Sequence, residues 1–155
     1  MSTNAELKEK FWKALADSPF LFLHLDAKPE TAVPMTAQLD EDANGTIWFF
    51  TTRDHALADM GPATATFAGK GHQMFTRFTG VLSEETSRER LDQHWSSIIE
   101  AWFDGKDDPK LLMLRMDLGQ AEIWNSDMGF IDNMKMLLGF DSREEAKEEH
   151  TEVVL

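Results

Sequence analysis

Reactive side chains are sparse in this chain. Its five histidines, His24, His55, His72, His94 and His150, include no i, i+4 pair and no short spacing to carboxylates that would suggest a metal site. Metal ligands must converge on one ion, so no metal centre is expected. His24 lies in an apolar run and reads as a hydrogen-bonded core residue, whereas His94, beside Trp95, reads as exposed. With no cysteine, thiolate nucleophiles, disulfides, zinc–thiolate sites and iron–sulfur clusters are all excluded. No Gly-x-Ser-x-Gly elbow is present. Gly69-Lys70-Gly71 lacks a third glycine and opens no predicted helix, so it reads as a hinge between strands and not as a phosphate loop. The acid pairs Glu84-Glu85, Asp107-Asp108 and Glu148-Glu149 fall at loops or ends and read as solvated charge. These residues alone name no catalytic group.

The elements that would position a site are clearer. Thr3-Asn4-Ala5-Glu6 fits a capping box, and Leu7, Phe11 and Leu15, with Trp12 beside them, form one helical stripe that ends before Ser18-Pro19. Phe20 to Leu25 is short and almost wholly apolar, which predicts a strand covered on both faces. Thr31 to Leu39 and Thr46 to Thr52 read as strands of one antiparallel hairpin, joined by a linker ending in Asn44-Gly45. Ala63 to Ala68 and His72 to Leu82 follow as strands. From Thr86 to Phe103, Leu91, Trp95, Ile98/Ile99 and Trp102 repeat at helical spacing and predict a four-turn helix with its aromatic residues in the core. Lys110 to Asp117 and Gln120 to Asn125 are two more strands, with Gly119 marking a turn or a bulge. Phe130/Ile131, Met134 and Leu137/Leu138 suggest a short last helix. Residues 141–155, with six acids and two bases, read as a solvated helix or frayed end. Seven short strands with connections too short for crossover helices give a mainly β (α+β) antiparallel barrel.

Composition bounds the partners. The chain has 155 residues, enough for one core, and carries 15 Lys+Arg against 28 Asp+Glu, a formal charge of −13. Such a field repels phosphate backbones and anionic lipid surfaces, so neither nucleic acid nor membrane is expected as a partner. No run approaches the roughly 20 apolar residues of a membrane span, and a cytoplasmic location is expected.

Four stretches carry a family resemblance: Val33-Pro34-Met35-Thr36-Ala37, Ile47 to Thr52, Ala101 to Leu111 (Ala-Trp-Phe-Asp-Gly-Lys-Asp-Asp-Pro-Lys-Leu) and Ala121-Glu122-Ile123-Trp124. In this order the chain resembles the general stress protein 26 branch of the pyridoxamine 5'-phosphate oxidase-like superfamily. The resemblance implies a six- to seven-stranded FMN-binding split barrel with flanking helices over residues 1–140, an acidic tail over 141–155, and a homodimer with flavin at the subunit interface. It implies Pro34, Met35 and Thr36 along the isoalloxazine ring, Thr51, Thr52, Arg53 and His55 around the ribityl chain and phosphate, and Trp124 at the interface. The family commonly has an arginine before Pro-Met, where this chain has Val33, and a lysine in the phosphate loop, where it has His55-Ala56-Leu57. Two cationic anchors are therefore missing; Arg53, Lys70 and a protonated His55 are the candidate substitutes, and arginine at 33 with lysine at 57 the expected restoration. The function implied is that of a flavin-binding general stress protein, an oxidoreductase of unknown substrate. The alternative is a non-catalytic barrel that has lost FMN and binds another small molecule or a partner.

Overall fold

The computed structural model describes residues 4–41, 44–125 and 150–155. Helix α1 (Asn4–Asp17) buries Leu7, Phe11 and Leu15, the stripe its sequence predicts. Phe11 is wedged edge-on against Phe67 and Phe78 of the sheet, at centroid distances of 6.5 and 5.4 Å. Edge-to-face contact sets the positive rim of one ring against the negative face of the other.

The strands are β1 (Phe20–Leu25), β2 (Lys28–Thr36), β3 (Thr46–Thr52), β4 (Gly61–Ala68), β5 (Met74–Glu84), β6 (Leu111–Asn125) and β7 (His150–Val154). Every pairing is antiparallel, and the sheet runs β2-β1-β4-β5-β6-β3 with β7 also on β6. The core is a cluster of inward residues from every strand but β2, including Leu23, Phe49, Phe78, Leu114 and Ile123, with Val33 and Met35 of β2 packed against it and α1 closing it. The fold is thus mainly β with few helices, as expected, but its parts differ from the sequence reading in six ways.

First, β1 is covered on one face only: Leu21, Leu23 and Leu25 are buried while Phe20 and Phe22 are exposed. Second, the hairpin of β2 with β3 shrinks to one bridge, Gln38 to Trp48, because β2 pairs with β1 and β3 with β6. That bridge joins the two outermost strands of the path, so it closes the barrel. Third, the runs on either side of Gly119 are one continuous strand, β6, carrying a bulge: Phe78 faces Ala121 but Gly80 faces Leu118, which leaves one extra residue on β6 opposite Thr79. The steric demand falls on Gly80, where a Cβ would lie 2.5 Å from the Asp117 carbonyl oxygen.

Fourth, the long predicted helix is broken into α2 (Arg88–His94) and α3 (Ser97–Glu100). Trp95 and Ser96 are extended, and the Ser96 hydroxyl accepts from the Ile99 amide at 3.4 Å to start the chain's next turn. A capping serine competes with helix continuation at that point. Fifth, residues 150–155, read as part of a solvated tail, form a strand: β7 lies on the β6 edge beyond the end of β3, with Val153 buried and the Leu155 amide bonded to the Gly119 carbonyl. Sixth, the Glu84-Glu85 and Asp107-Asp108 pairs are more than solvated charge. Glu85 accepts from the buried Trp48 indole, and Asp108 accepts from the Asp104 and Lys110 amides, which hold its carboxyl below the usual range. The predicted last helix around Met134, and Glu148-Glu149, lie outside the described residues. Among the described residues no helix is long and apolar enough to cross a membrane.

Candidate functional site

The site begins beyond that bridge, where the seam between β2 and β3 stays open. Gln38 and Trp48 exchange both main-chain hydrogen bonds, at 2.8 and 3.0 Å. Continuing that antiparallel register would set Thr36 against Phe50 and Pro34 against Thr52. Neither pair forms, and all four residues line a cleft of about 660 Å³ instead. Main-chain groups alternate sides along a strand. The Ala37 amide is bonded to Pro19 on the β1 side and the Gln38 amide to Trp48 on the other, so the groups of Pro34 and Thr36 face the seam. Pro34 has no N–H to give there, which removes one rung from the missing ladder. By the same alternation the groups of Phe50 and Thr52 face the seam from β3.

Helix α3 and the residues flanking it supply the opposite wall, with Ser96, Ile98, Ile99, Trp102 and Phe103. Trp102 is 80% exposed and Ile98 73%, so the aromatic stripe expected in the core stands open at the rim of the cleft. Trp95 bridges wall and strand, edge-on to Phe50 at 6.3 Å and 6.5 Å from Phe103.

What holds this wall in place was invisible in the sequence. Asp40, in the linker after β2, accepts from Arg90 at 2.6 Å and from Gln93 at 2.9 Å, and lies 3.0 Å from His94 Nε2, all three on α2. His94, expected to be exposed, is buried, with its ring 4.9 Å from that of Trp48; the Arg90 guanidinium stands over the same indole at 4.9 Å. Burial pushes the His94 imidazole below its ordinary pKa, against the pull of the Asp40 carboxylate. The partners lie about fifty residues apart, so no local spacing could have announced the cluster. His24 is half-buried, with Nδ1 3.2 Å from the Leu25 carbonyl oxygen.

Of the residues singled out in the sequence, Pro34, Met35, Thr36, Thr51, Thr52 and His55 meet in the cleft. Arg53, Trp124 and Lys70 do not line it. Arg53 bonds Glu84 in a separate polar hollow, Trp124 sits on β6 beside Phe75 with the Arg77 guanidinium 5.8 Å away, and Lys70 belongs to a turn near α1. His55 Nδ1 accepts from the Leu57 amide at 3.1 Å and so caps the short helix Ala56–Asp59. A proton on that nitrogen would forfeit the cap, which argues against His55 as a cationic anchor. Leu57 is fully buried, so the missing lysine cannot be restored there without burying charge. Among the described residues that line the cleft there is no Lys, Arg, Asp or Glu. Sequence reasoning missed Gln38 and Phe50, although extending the hairpin register would have found them. It missed the helical wall because periodicity assigned those side chains to the core.

An apolar slot with main-chain donors and acceptors along facing edges suits a flat heteroaromatic ring, which needs dry walls and a few fixed hydrogen bonds. Fold and cleft together are those of a split barrel. Residues 6–141 match the family described as pyridoxamine 5'-phosphate oxidase like, and the chain belongs to that family. It is 40% identical to a general stress family protein from Xanthomonas campestris pv. campestris, with a TM-score of 0.75 over 84% of this chain and 94% of that one. It is 39% identical to the general stress FMN/FAD binding protein from Xanthomonas citri, with a TM-score of 0.74 over 82% of this chain and 94% of that one. General stress protein 26 of Bacillus subtilis (strain 168) is 36% identical over 52 residues, 34% of this chain and 37% of that protein.

Proposed function

We propose that this chain is a flavin-binding protein, with FMN as the expected cofactor, acting as an oxidoreductase in the cytoplasm. The observation that carries the reading is the unzipped seam between β2 and β3, an uncharged slot edged by main-chain groups and walled by Phe50, Phe103 and Trp102. Pro34, Met35 and Thr36 would lie along one edge of the ring, and Thr51 and Thr52 near its side chain. The relative from Xanthomonas citri, named as FMN/FAD binding, supports the choice of ligand. A bound flavin supplies hydride and electron transfer; the protein's part is to orient the ring and keep water from it. Among the described residues His55 is the one imidazole on the cleft, and its Nδ1 is already engaged, so no residue here is assigned as acid or base.

The expected assembly is a homodimer that covers the outer aromatic residues of β1 and the rim of the cleft. A second reading, a barrel that binds a different small molecule without catalysis, is favoured by the absence of Lys and Arg from the described residues that line the cleft. Recording the visible spectrum of the purified protein and titrating it with flavin separates the two. Quenching of flavin fluorescence at micromolar protein is expected on the first reading, and no quenching by any flavin would defeat it.

A further inference from the structure

The end of the cleft that would meet a ligand's phosphate is already supplied with anions by the protein itself. Two neighbouring donors bear on it, the Thr52 hydroxyl on the cleft and the Arg53 guanidinium, one residue on, in the separate polar hollow. Thr52 Oγ1 donates to Asp54 Oδ1 at 2.5 Å, and Arg53 donates to Glu84 Oε1 at 2.5 Å. Each donor is thus satisfied by a carboxylate, one from the same turn and one from the end of β5. The Thr52 bond is the leading cause of the lowered Asp54 pKa. Among the described residues the lining of the cleft adds no Lys or Arg, and the whole chain carries a formal charge of −13. An arriving phosphate dianion would have to displace one or both carboxylates while meeting their repulsion. An uncharged tail meets no such competition.

We propose that Asp54 and Glu84 are specificity-determining residues that hold the Thr52 hydroxyl and the neighbouring Arg53 guanidinium in place of a ligand phosphate. The cleft then accepts the unphosphorylated flavin about as well as the phosphorylated one. This rests on the flavin reading above and adds to it the class of ligand tail. It also names a contact that is autoinhibitory toward anionic ligands: Arg53 is half-exposed and its guanidinium is held by Glu84, so removing Glu84 releases that hold. Exposed ion pairs are worth little on their own, so exchanging one anion for another at Arg53 is a near-balanced competition that one substitution can tip.

The test compares riboflavin with FMN by fluorescence-quenching titration of the full chain. In wild type the two dissociation constants are expected within about threefold of each other, against the tenfold to hundredfold that a charge-assisted phosphate contact of about 1.5–3 kcal/mol would give. Glu84→Gln, and Asp54→Asn with it, should tighten FMN by about threefold to tenfold and leave riboflavin almost unchanged. The gain should fade with added salt, since both groups are exposed to solvent. Adding Arg53→Ala to the Glu84→Gln variant should erase it. Wild type that prefers FMN more than tenfold, or variants that tighten both flavins alike, would overturn the proposal while leaving the flavin reading intact. Failure of both flavins to bind any variant would overturn the flavin reading and this proposal with it.

Discussion

At position 57 a cationic side chain of the kind the family carries in its phosphate loop has nowhere to go. Leu57 is fully buried, and the helix that holds it is capped by His55. Leu57→Lys should therefore lose the packing of a buried leucine and strand an ammonium in the core, at a cost of about 3 kcal/mol or more. The urea midpoint is the measurement; a stability equal to wild type would mean that the lysine escapes to the cleft. Val33 is half-buried and packs against the core, so arginine there must also give up packing before it can reach a ligand. The residues of Pro34-Met35-Thr36 and Thr51-Thr52 were legible because short motifs mark them. Arg53 was named beside them, but its pairing with Glu84, thirty-one residues away and brought near by the sheet, was not legible.

At the scale of elements, α2 is bound to the barrel through His94 and Arg90 on Trp48 and through Asp40. A buried imidazole with a depressed pKa resists charging in the folded state. The sign follows from linkage: the unfolded chain takes up the proton first, so this contribution is whole above about pH 6.5 and is lost as pH falls below it. Urea midpoints at about pH 7.5 and about pH 5.5 should differ more for wild type than for His94→Gln, whose side chain does not titrate; equal differences would sink the assignment. The elements themselves were largely legible, since apolar period and turn residues are local signals. The partner of each strand was not. Asn44-Gly45 marks a turn correctly, yet β2 and β3 find better partners in β1 and β6, and the predicted hairpin survives as a single bridge. The long helix failed for a related reason: periodicity cannot see Ser96 start a new turn.

At the scale of the whole molecule, two surfaces remain to be accounted for. The first is the edge of β6 from Gln120 to Trp124, which β7 covers. Removing residues 150–155 would take away a buried valine, worth about 1.5–3 kcal/mol, together with five ladder positions, and would leave an unpaired strand edge. A loss above about 2 kcal/mol in chemical denaturation and a gain in aggregation are expected; an unchanged midpoint would show the strand to be dispensable. The second surface is aromatic. Phe20 is 65% exposed on the outer face of β1, and Trp102 and Ile98 stand beside it around the cleft. Side chains of this size left in water are a standing cost, and a two-fold dimer burying more than about 2,000 Å² would remove it. Sedimentation at micromolar concentration should give twice the mass of 17.7 kDa, and a monomer would refute the assembly.

The open seam also writes a rhythm into the time domain. Along β2 the amides of Val33, Met35 and Ala37 point away from the gap, and along β3 those of Ile47, Phe49 and Thr51 do the same. The amides of Thr36, Phe50 and Thr52 point into it. In deuterated solvent the first set should exchange slowly, with the sheet, while Thr36, Phe50 and Thr52 exchange orders of magnitude faster, so that fast and slow hydrogens alternate residue by residue. Gln38 and Trp48, joined across the gap, should be the slow pair that ends the pattern. A ligand seated in the seam would erase the alternation by slowing only the fast set. Uniform protection along both strands without ligand would mean that the seam is zipped in solution.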